Sequence, residues 1–288
     1  MSETPTRRRL LRAVGVAATA TLAGCSSGGK KESTSTGTPD GKRTTKAGAG
    51  TGTTETGSGT ETSTSSATDE ETTSETTTQE TGEETTTGTA PPEGGGDVQF
   101  TTQSGATVHG TLVGDGSCGI VFAHDNGFDR KDWLPEAKEL ANKGYTCLPI
   151  GLNLDDTSTA PGYVLAASRY LRKRVGVKNV VLVGAGAGAD AVVRANARAK
   201  SGTIAGTLAL APGSGVDSAG EMQGWKLFVV AKGDDRQYVQ TTKKMQKAAS
   251  NPKRYQTVNG SAHGQHVFEE NENAMMSMVN SLLMTVCG

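Results

Sequence analysis

Apolar residues are sparse between about residue 26 and residue 96 and dense from there to the end. In the dense part, residues 98–102 and 106–113 alternate apolar and polar positions around Ser104-Gly105, which predicts a two-stranded hairpin. Residues 119–124 read GIVFAH, a continuous apolar run of the kind a parallel strand buried on both faces requires. Similar runs predict strands over 145–152, 180–184, 207–211, 227–231 and 254–258. Between them the spacing turns helical. Trp133, Leu134, Ala137, Leu140 and Ala141 place a helix over 132–144. Further helices are predicted over 161–175, 187–200, 238–249 and 268–285. The basic end Arg172-Lys173-Arg174 suits the negative pole of its helix, and Met275, Met276, Met278, Leu282, Leu283 and Met284 supply the core face of the last one. Strands alternating with helices imply right-handed crossovers and a mostly parallel sheet with helices on both faces, an α/β fold.

Composition narrows this picture. The chain has 288 residues, 39 of them Gly, with only 34% hydrophobic and 4% aromatic residues. These values suit one folded domain over 97–288 behind a long polar segment better than two packed domains. Residues 25–96 are rich in Thr, Ser, Gly and Glu and lack the large apolar side chains that could offset the entropy of ordering. They read as a disordered stalk. Charge divides the same way: residues 97–288 hold 20 Lys and Arg against 17 Asp and Glu, whereas residues 26–96 hold 5 against 12. Neither part has the basic block that nucleic acid calls for.

The first 24 residues look like an address. Thr6-Arg7-Arg8-Arg9-Leu10-Leu11-Arg12 opens a short stretch of Val, Ala, Thr and Leu that ends in Leu22-Ala23-Gly24-Cys25. The paired arginines resemble a twin-arginine export signal and the last four residues resemble a lipobox. The resemblance implies cleavage before Cys25, a lipid on its sulfur, and a protein exported and anchored to the outer face of the cell membrane.

In a parallel α/β sheet, ligands lie beyond the C-terminal ends of the strands. The segments there are His124-Asp125-Asn126-Gly127, Gly151-Leu152-Asn153, Gly184-Ala185-Gly186-Ala187-Gly188, Pro212-Gly213-Ser214, Lys232-Gly233-Asp234-Asp235 and Asn259-Gly260-Ser261-Ala262-His263-Gly264. This series resembles the α/β-hydrolase family, particularly its esterase and dienelactone-hydrolase-like members, in a strand–turn–helix elbow followed by an acid loop and then a histidine loop. The resemblance implies His263 as base and Asp235 as its acid, with Asp234 the alternative. It also implies an oxyanion site from the N–H of Ala187 and the loop His124, Asp125, Asn126, Gly127. The departure lies at the centre: Gly186 stands where the family carries its nucleophilic Ser. Acyl transfer needs an oxygen or sulfur nucleophile activated by the His, and glycine has none. Ser214, Ser261 and Cys147 are the substitutes considered, and none is at an elbow.

The same glycines satisfy G-x-G-x-x-[GA], the dinucleotide pattern. The strand that follows, Leu208-Ala209-Leu210-Ala211, lacks the required acid at its end, so no cofactor is expected. His263 and His266, three residues apart, with His124 or Asp235 make a poor metal signature, and no metal site is expected. With Cys25 lipidated, Cys118, Cys147 and Cys287 remain; a Cys118–Cys147 bridge on neighbouring strands and buried free thiols stand as equal alternatives. The reading is therefore a lipoprotein with a degenerate hydrolase domain that binds a small molecule or partner at the former site. The amide donors and the helix N-terminus make an anion-friendly spot, where a carboxylate or phosphate could bind without chemistry. Two alternatives stand beside it: a surface ester hydrolase with a relocated nucleophile or with water activated by His263 and Asp235, and a dinucleotide-binding protein.

Overall fold

A computed structural model describes residues 88–288. The expected signal segment, Cys25 and most of the expected stalk lie outside the described residues. Residues 88–96, which composition groups with the stalk, lie against the domain. Thr89 N–H donates to the Gln99 carbonyl at 2.9 Å, and Gly88 bridges to Phe100.

Eight strands form one sheet: β1 (Gly96–Thr101), β2 (Thr107–Leu112), β3 (Cys118–Ala123), β4 (Thr146–Ile150), β5 (Asn179–Ala185), β6 (Gly206–Leu210), β7 (Trp225–Ala231) and β8 (Lys253–Val258). Their spatial order is β1-β2-β4-β3-β5-β6-β7-β8. The β1–β2 hairpin is antiparallel and β2 meets β4 antiparallel; β4, β3, β5, β6, β7 and β8 run parallel. The helices are α1 (Leu134–Ala141), α2 (Ala160–Tyr170), α3 (Ala187–Arg198), α4 (Arg236–Ala248) and α5 (His266–Cys287). Every expected strand and long helix is present. A 3-10 turn over Arg130–Trp133 precedes α1 and another, Val216–Glu221, follows β6. Asn271 breaks the helical backbone of α5, and its side-chain amide donates to the Asn259 carbonyl at 3.0 Å.

Period-two alternation divides the core between the faces of the sheet. Ile120, Phe122, Val181, Val183, Leu208, Leu210, Leu227 and Val229 pack with Trp133, Ala137 and Leu140 on the α1 side and with Met275, Val279, Leu282 and Leu283 of α5. Val121, Ala123, Val180 and Leu182 face α2 and α3, and Phe228 and Ala209 face Met245 of α4 and Val193 of α3. Trp133 sits between Phe122 and Phe268, with ring centroids 5.3 and 5.0 Å away.

The disulfide joins Cys118 to Cys287, with Cα atoms 5.9 Å apart, which corrects the expected Cys118–Cys147 pair. The parallel register sets Cys147 opposite Ile120, two residues beyond Cys118, while the end of α5 packs on the face that Cys118 shares. Cys147 is a buried free thiol, and burial pushes its pKa up to about 12, so it stays protonated and unreactive. The bridge spans 169 residues; in the chain-entropy picture a loop of that length restricts the unfolded chain by about 5 kcal/mol.

Glu136 is out of place on α1. Its Oε2 is buried and has no hydrogen-bond partner. Burial lifts its carboxyl above the ordinary range, Glu272, Glu139 and Glu269 add repulsion, and its own backbone N–H pulls the other way. A carboxyl with a higher pKa folded than unfolded contributes stability below the unfolded value and loses it as pH rises through the folded one. Glu136→Gln is therefore expected to raise the unfolding midpoint at pH 7 and to lose that advantage below about pH 4, as read from thermal melts of the full-length protein across pH.

Candidate active site

The strand ends bring three loops together around the start of α3. β5 ends at Ala185, and the chain turns at Gly186, with φ +50° and ψ −116°, directly into α3. The turn is tight and crowded. A methyl built on Gly188 would collide with the carbonyls of Ala123 and His124, so α3 can approach the end of β3 only with glycine there. The Gly184-to-Gly188 pattern thus serves close packing of helix on strand.

The β3 loop is fixed by His124, which is buried. Its Nε2 accepts from the Leu152 N–H at 3.0 Å, so Nδ1 carries the proton and donates to the Asp125 carbonyl at 2.9 Å. Both ring nitrogens are used in pinning β3 to β4, and His124 is a positioning residue. It delivers Asp125, also buried, to the elbow. Asp125 Oδ1 accepts from the Ala187 N–H at 2.9 Å and from the Asn126 N–H at 2.8 Å. A Cβ on Gly186 would fall on the Asp125 carboxylate, and one on Gly264 would fall on Oδ2. The carboxylate therefore fills the space that a side chain at 186 would take.

The expected oxyanion donors, Ala187 N–H and an N–H of the 125–127 loop, do converge. They are not free, which corrects the expectation of an open anion site: the chain's own Asp125 occupies them. Two charge-assisted hydrogen bonds, worth about 1.5–3 kcal/mol each, and the positive pole of α3 hold it there. A pyrophosphate at this helix start would meet that carboxylate, which removes the basis of the dinucleotide reading. Asn126 and Gly127 are exposed at the mouth, with Gly127 at φ +78°.

His263 does meet a carboxylate, that of Asp234, the alternative, and not that of Asp235. His263 Nδ1 lies 3.0 Å from Asp234 Oδ2, and the side chains are 33% and 3% exposed respectively. Asp235, the expected acid, is exposed and occupies the N-cap position of α4 without a side-chain capping bond. The cause is the turn after β7: Gly233 N–H bonds to the Gly260 carbonyl at 2.9 Å, which lays residue 234 against the histidine loop as the chain turns away into α4. The Asp235 N–H also donates to Asp234 Oδ1 at 2.7 Å, orienting that carboxylate. The Tyr238 ring lies over the imidazole, centroids 3.7 Å apart. With Nδ1 directed at Asp234, no hydrogen bond from the described residues engages Nε2 of His263.

The substitutes considered for the missing nucleophile lie elsewhere. The Ser214 hydroxyl donates to Asp190 Oδ2 at 2.6 Å and accepts from Arg194 at 3.2 Å. Ser261 is exposed beside Gly233, and Cys147 is buried in β4. His266 pairs with Glu269 at 2.8 Å. Among the described residues no group of His, Cys, Asp or Glu is placed to hold a metal ion.

This arrangement has relatives among solved structures. A crystal structure of an esterase from Pyrococcus furiosus matches at a TM-score of 0.59 and 13% identity, covering 67% of this chain and 93% of that one. A dienelactone hydrolase from Anabaena variabilis matches at 0.59 and 18% identity over 67% and 97%. A Xanthomonas campestris protein described as an α/β serine hydrolase without a lid matches at 0.55 and 14% identity over 68% and 97%. The fold is that of the α/β-hydrolases. No protein-family model and no curated protein sequence matches the chain. Within the α/β-hydrolase fold the elbow, acid loop and histidine loop keep their order, and the elbow residue is glycine.

The part that sequence reasoning missed is the Asp125 side chain, considered only for its backbone. The signal was available in combination: glycine at both 186 and 264, and an acid next to the loop histidine. The two glycines predict a coupled response. Asp125→Ala is expected to cost about 2 kcal/mol, and Gly186→Ala alone to cost more, through collision with the carboxylate as well as its positive φ. In the Asp125→Ala background the collision is gone, so the double variant should be more stable than the two single costs imply by at least about 1 kcal/mol, as measured by urea unfolding.

Proposed function

We propose that this chain is an exported, lipid-anchored protein whose hydrolase domain has abandoned serine acyl transfer and is built around a carboxylate instead. One observation carries the reading: Asp125 fills both the nucleophile's space at Gly186 and the amide pair of Ala187 and Asn126. An ester carbonyl bound for attack needs those amides for its developing oxyanion, and they are taken. The missing hydroxyl and the filled hole act together. This supports the degenerate-esterase reading and disfavours a free anion as ligand.

The intact contact between His263 and the buried Asp234 supports a second reading, hydrolysis of a non-serine kind. A neutral imidazole oriented by a carboxylate can take a proton from water.

Export and anchoring rest on Arg7-Arg8 and on Leu22-Ala23-Gly24-Cys25. No helix among the described residues is long and apolar enough to cross a membrane, so attachment in this reading depends on the lipid. Cys25→Ser in the native host is expected to move the protein from the membrane fraction to the medium, as followed by immunoblot.

Acyl chemistry is tested with p-nitrophenyl acetate on the full-length protein. Wild type is expected to show only background hydrolysis, and so is Gly186→Ser alone, because its side chain collides with Asp125. Asp125→Ala with Gly186→Ser frees the amides and supplies a hydroxyl near His263, so turnover should rise roughly 100-fold and fall again on adding His263→Ala. Wild-type ester turnover that is indifferent to Asp125→Ala would defeat the reading.

A further inference from the structure

At the end of α3 away from the elbow lies a cavity of about 360 Å³ whose charge is one-sided. Arg169 of α2, Arg172 and Lys173 of the turn Leu171–Val175 that continues it, and Arg198 and Lys200 at the end of α3 line it, and no acidic residue does. The helix between this cavity and the Asp125 site is 12 residues long, about 18 Å. Basic residues in a last turn complement the negative pole of their helix. That accounts for a cation at each helix end. It does not account for five gathered on one cavity, where like charges repel. Among the described residues no carboxylate pairs with Arg169, Arg172, Lys173 or Arg198. A cavity of this kind fits an occupant with several carboxylates, which guanidinium groups bind by charge-assisted hydrogen bonds.

The chain itself carries such an occupant to the cavity's edge. Gly88 and Thr89 run antiparallel to Phe100 and Gln99. The direction upstream of Gly88 is therefore the direction of residues 101–103, and Gln103 belongs to the cavity wall. Phe100 stacks on Tyr170, with ring centroids 4.8 Å apart, and Tyr170 ends α2 just before Arg172 and Lys173. The sequence upstream of Gly88 holds Glu80, Glu83 and Glu84, and no Lys or Arg occurs between Lys46 and Arg130. The chain from Gly88 reaches Glu84 within about 14 Å and Glu80 within about 28 Å. We infer that the acidic segment 80–84 docks in the Arg- and Lys-lined cavity of its own chain. The polar spacer then leaves the domain near residue 80 and not at residue 96. Weak individual contacts suffice, because a short tether presents the segment at an effective concentration on the order of millimolar.

The experiment uses inorganic pyrophosphate as a probe of the cavity, titrated by calorimetry into the full-length protein at low salt. Glu80→Gln, Glu83→Gln and Glu84→Gln together remove the competing carboxylates, and a thermal melt checks that the fold is kept. The triple variant is expected to bind pyrophosphate at least about 10-fold more tightly than wild type. Adding Arg172→Glu and Lys173→Glu should remove that binding. Zero-length carbodiimide coupling of the wild type, read by peptide mass mapping, should join Glu80, Glu83 or Glu84 to Lys173 or Lys200 within single molecules. Its yield should fall several-fold in about 1 M salt. Equal pyrophosphate affinity in wild type and triple variant would overturn the inference and make the cavity an open site for free anions. Failure of both to bind pyrophosphate would overturn it too. So would coupling that is absent, or confined to pairs of molecules, in which case the occupant is a second copy.

Discussion

A single carboxylate organises the crest of this sheet. Asp125 leaves the end of β3 with its carbonyl held by His124 and its Oδ1 by the amides of Ala187 and Asn126. It can lie there only because Gly186 and Gly264 present no side chain to it. A buried carboxylate left unpaired would be costly, and here the helix start supplies the pairing. The elbow, the β3 loop and the histidine loop therefore meet on one charged group, and the position of each depends on it.

The scaffold makes that convergence possible. The six parallel strands end on one side, so the loops after β3, β5, β7 and β8 gather there whatever their separation in sequence. The close approach of α3 to β3, which Gly188 permits, sets the Ala187 amide at the height of the loop that carries Asp125. Far from the site, the Cys118–Cys287 bridge ties the start of β3 to the end of α5. It thereby holds the strand that carries the carboxylate to the helix that follows the histidine loop.

Chemically, the site differs from a serine esterase by more than a deletion. Removing a hydroxyl would leave an empty hole with free amides. Here the hole is filled, the acid–imidazole contact is retained, and the filling group has one oxygen free.

Much of this was legible in the chain. Alternating and continuous apolar runs set out every strand and the five long helices, because burial on one or two faces of a sheet leaves a direct periodic trace. The order of elbow, acid loop and His263 pointed to the fold, and glycine at 186 marked where the resemblance would place a hydroxyl. What only the tertiary structure decided were relations between residues distant in sequence. The choice of Asp234 over Asp235 depends on how the 233–260 contact turns two adjacent side chains in opposite directions. The partner of Cys118 depends on where a helix 169 residues away ends. The role of the Asp125 side chain depends on two glycines, 61 and 139 positions further on, that face the same point in space. Local propensity and periodicity act over a few residues; the space left by an absent side chain exists only once the chain has folded around it.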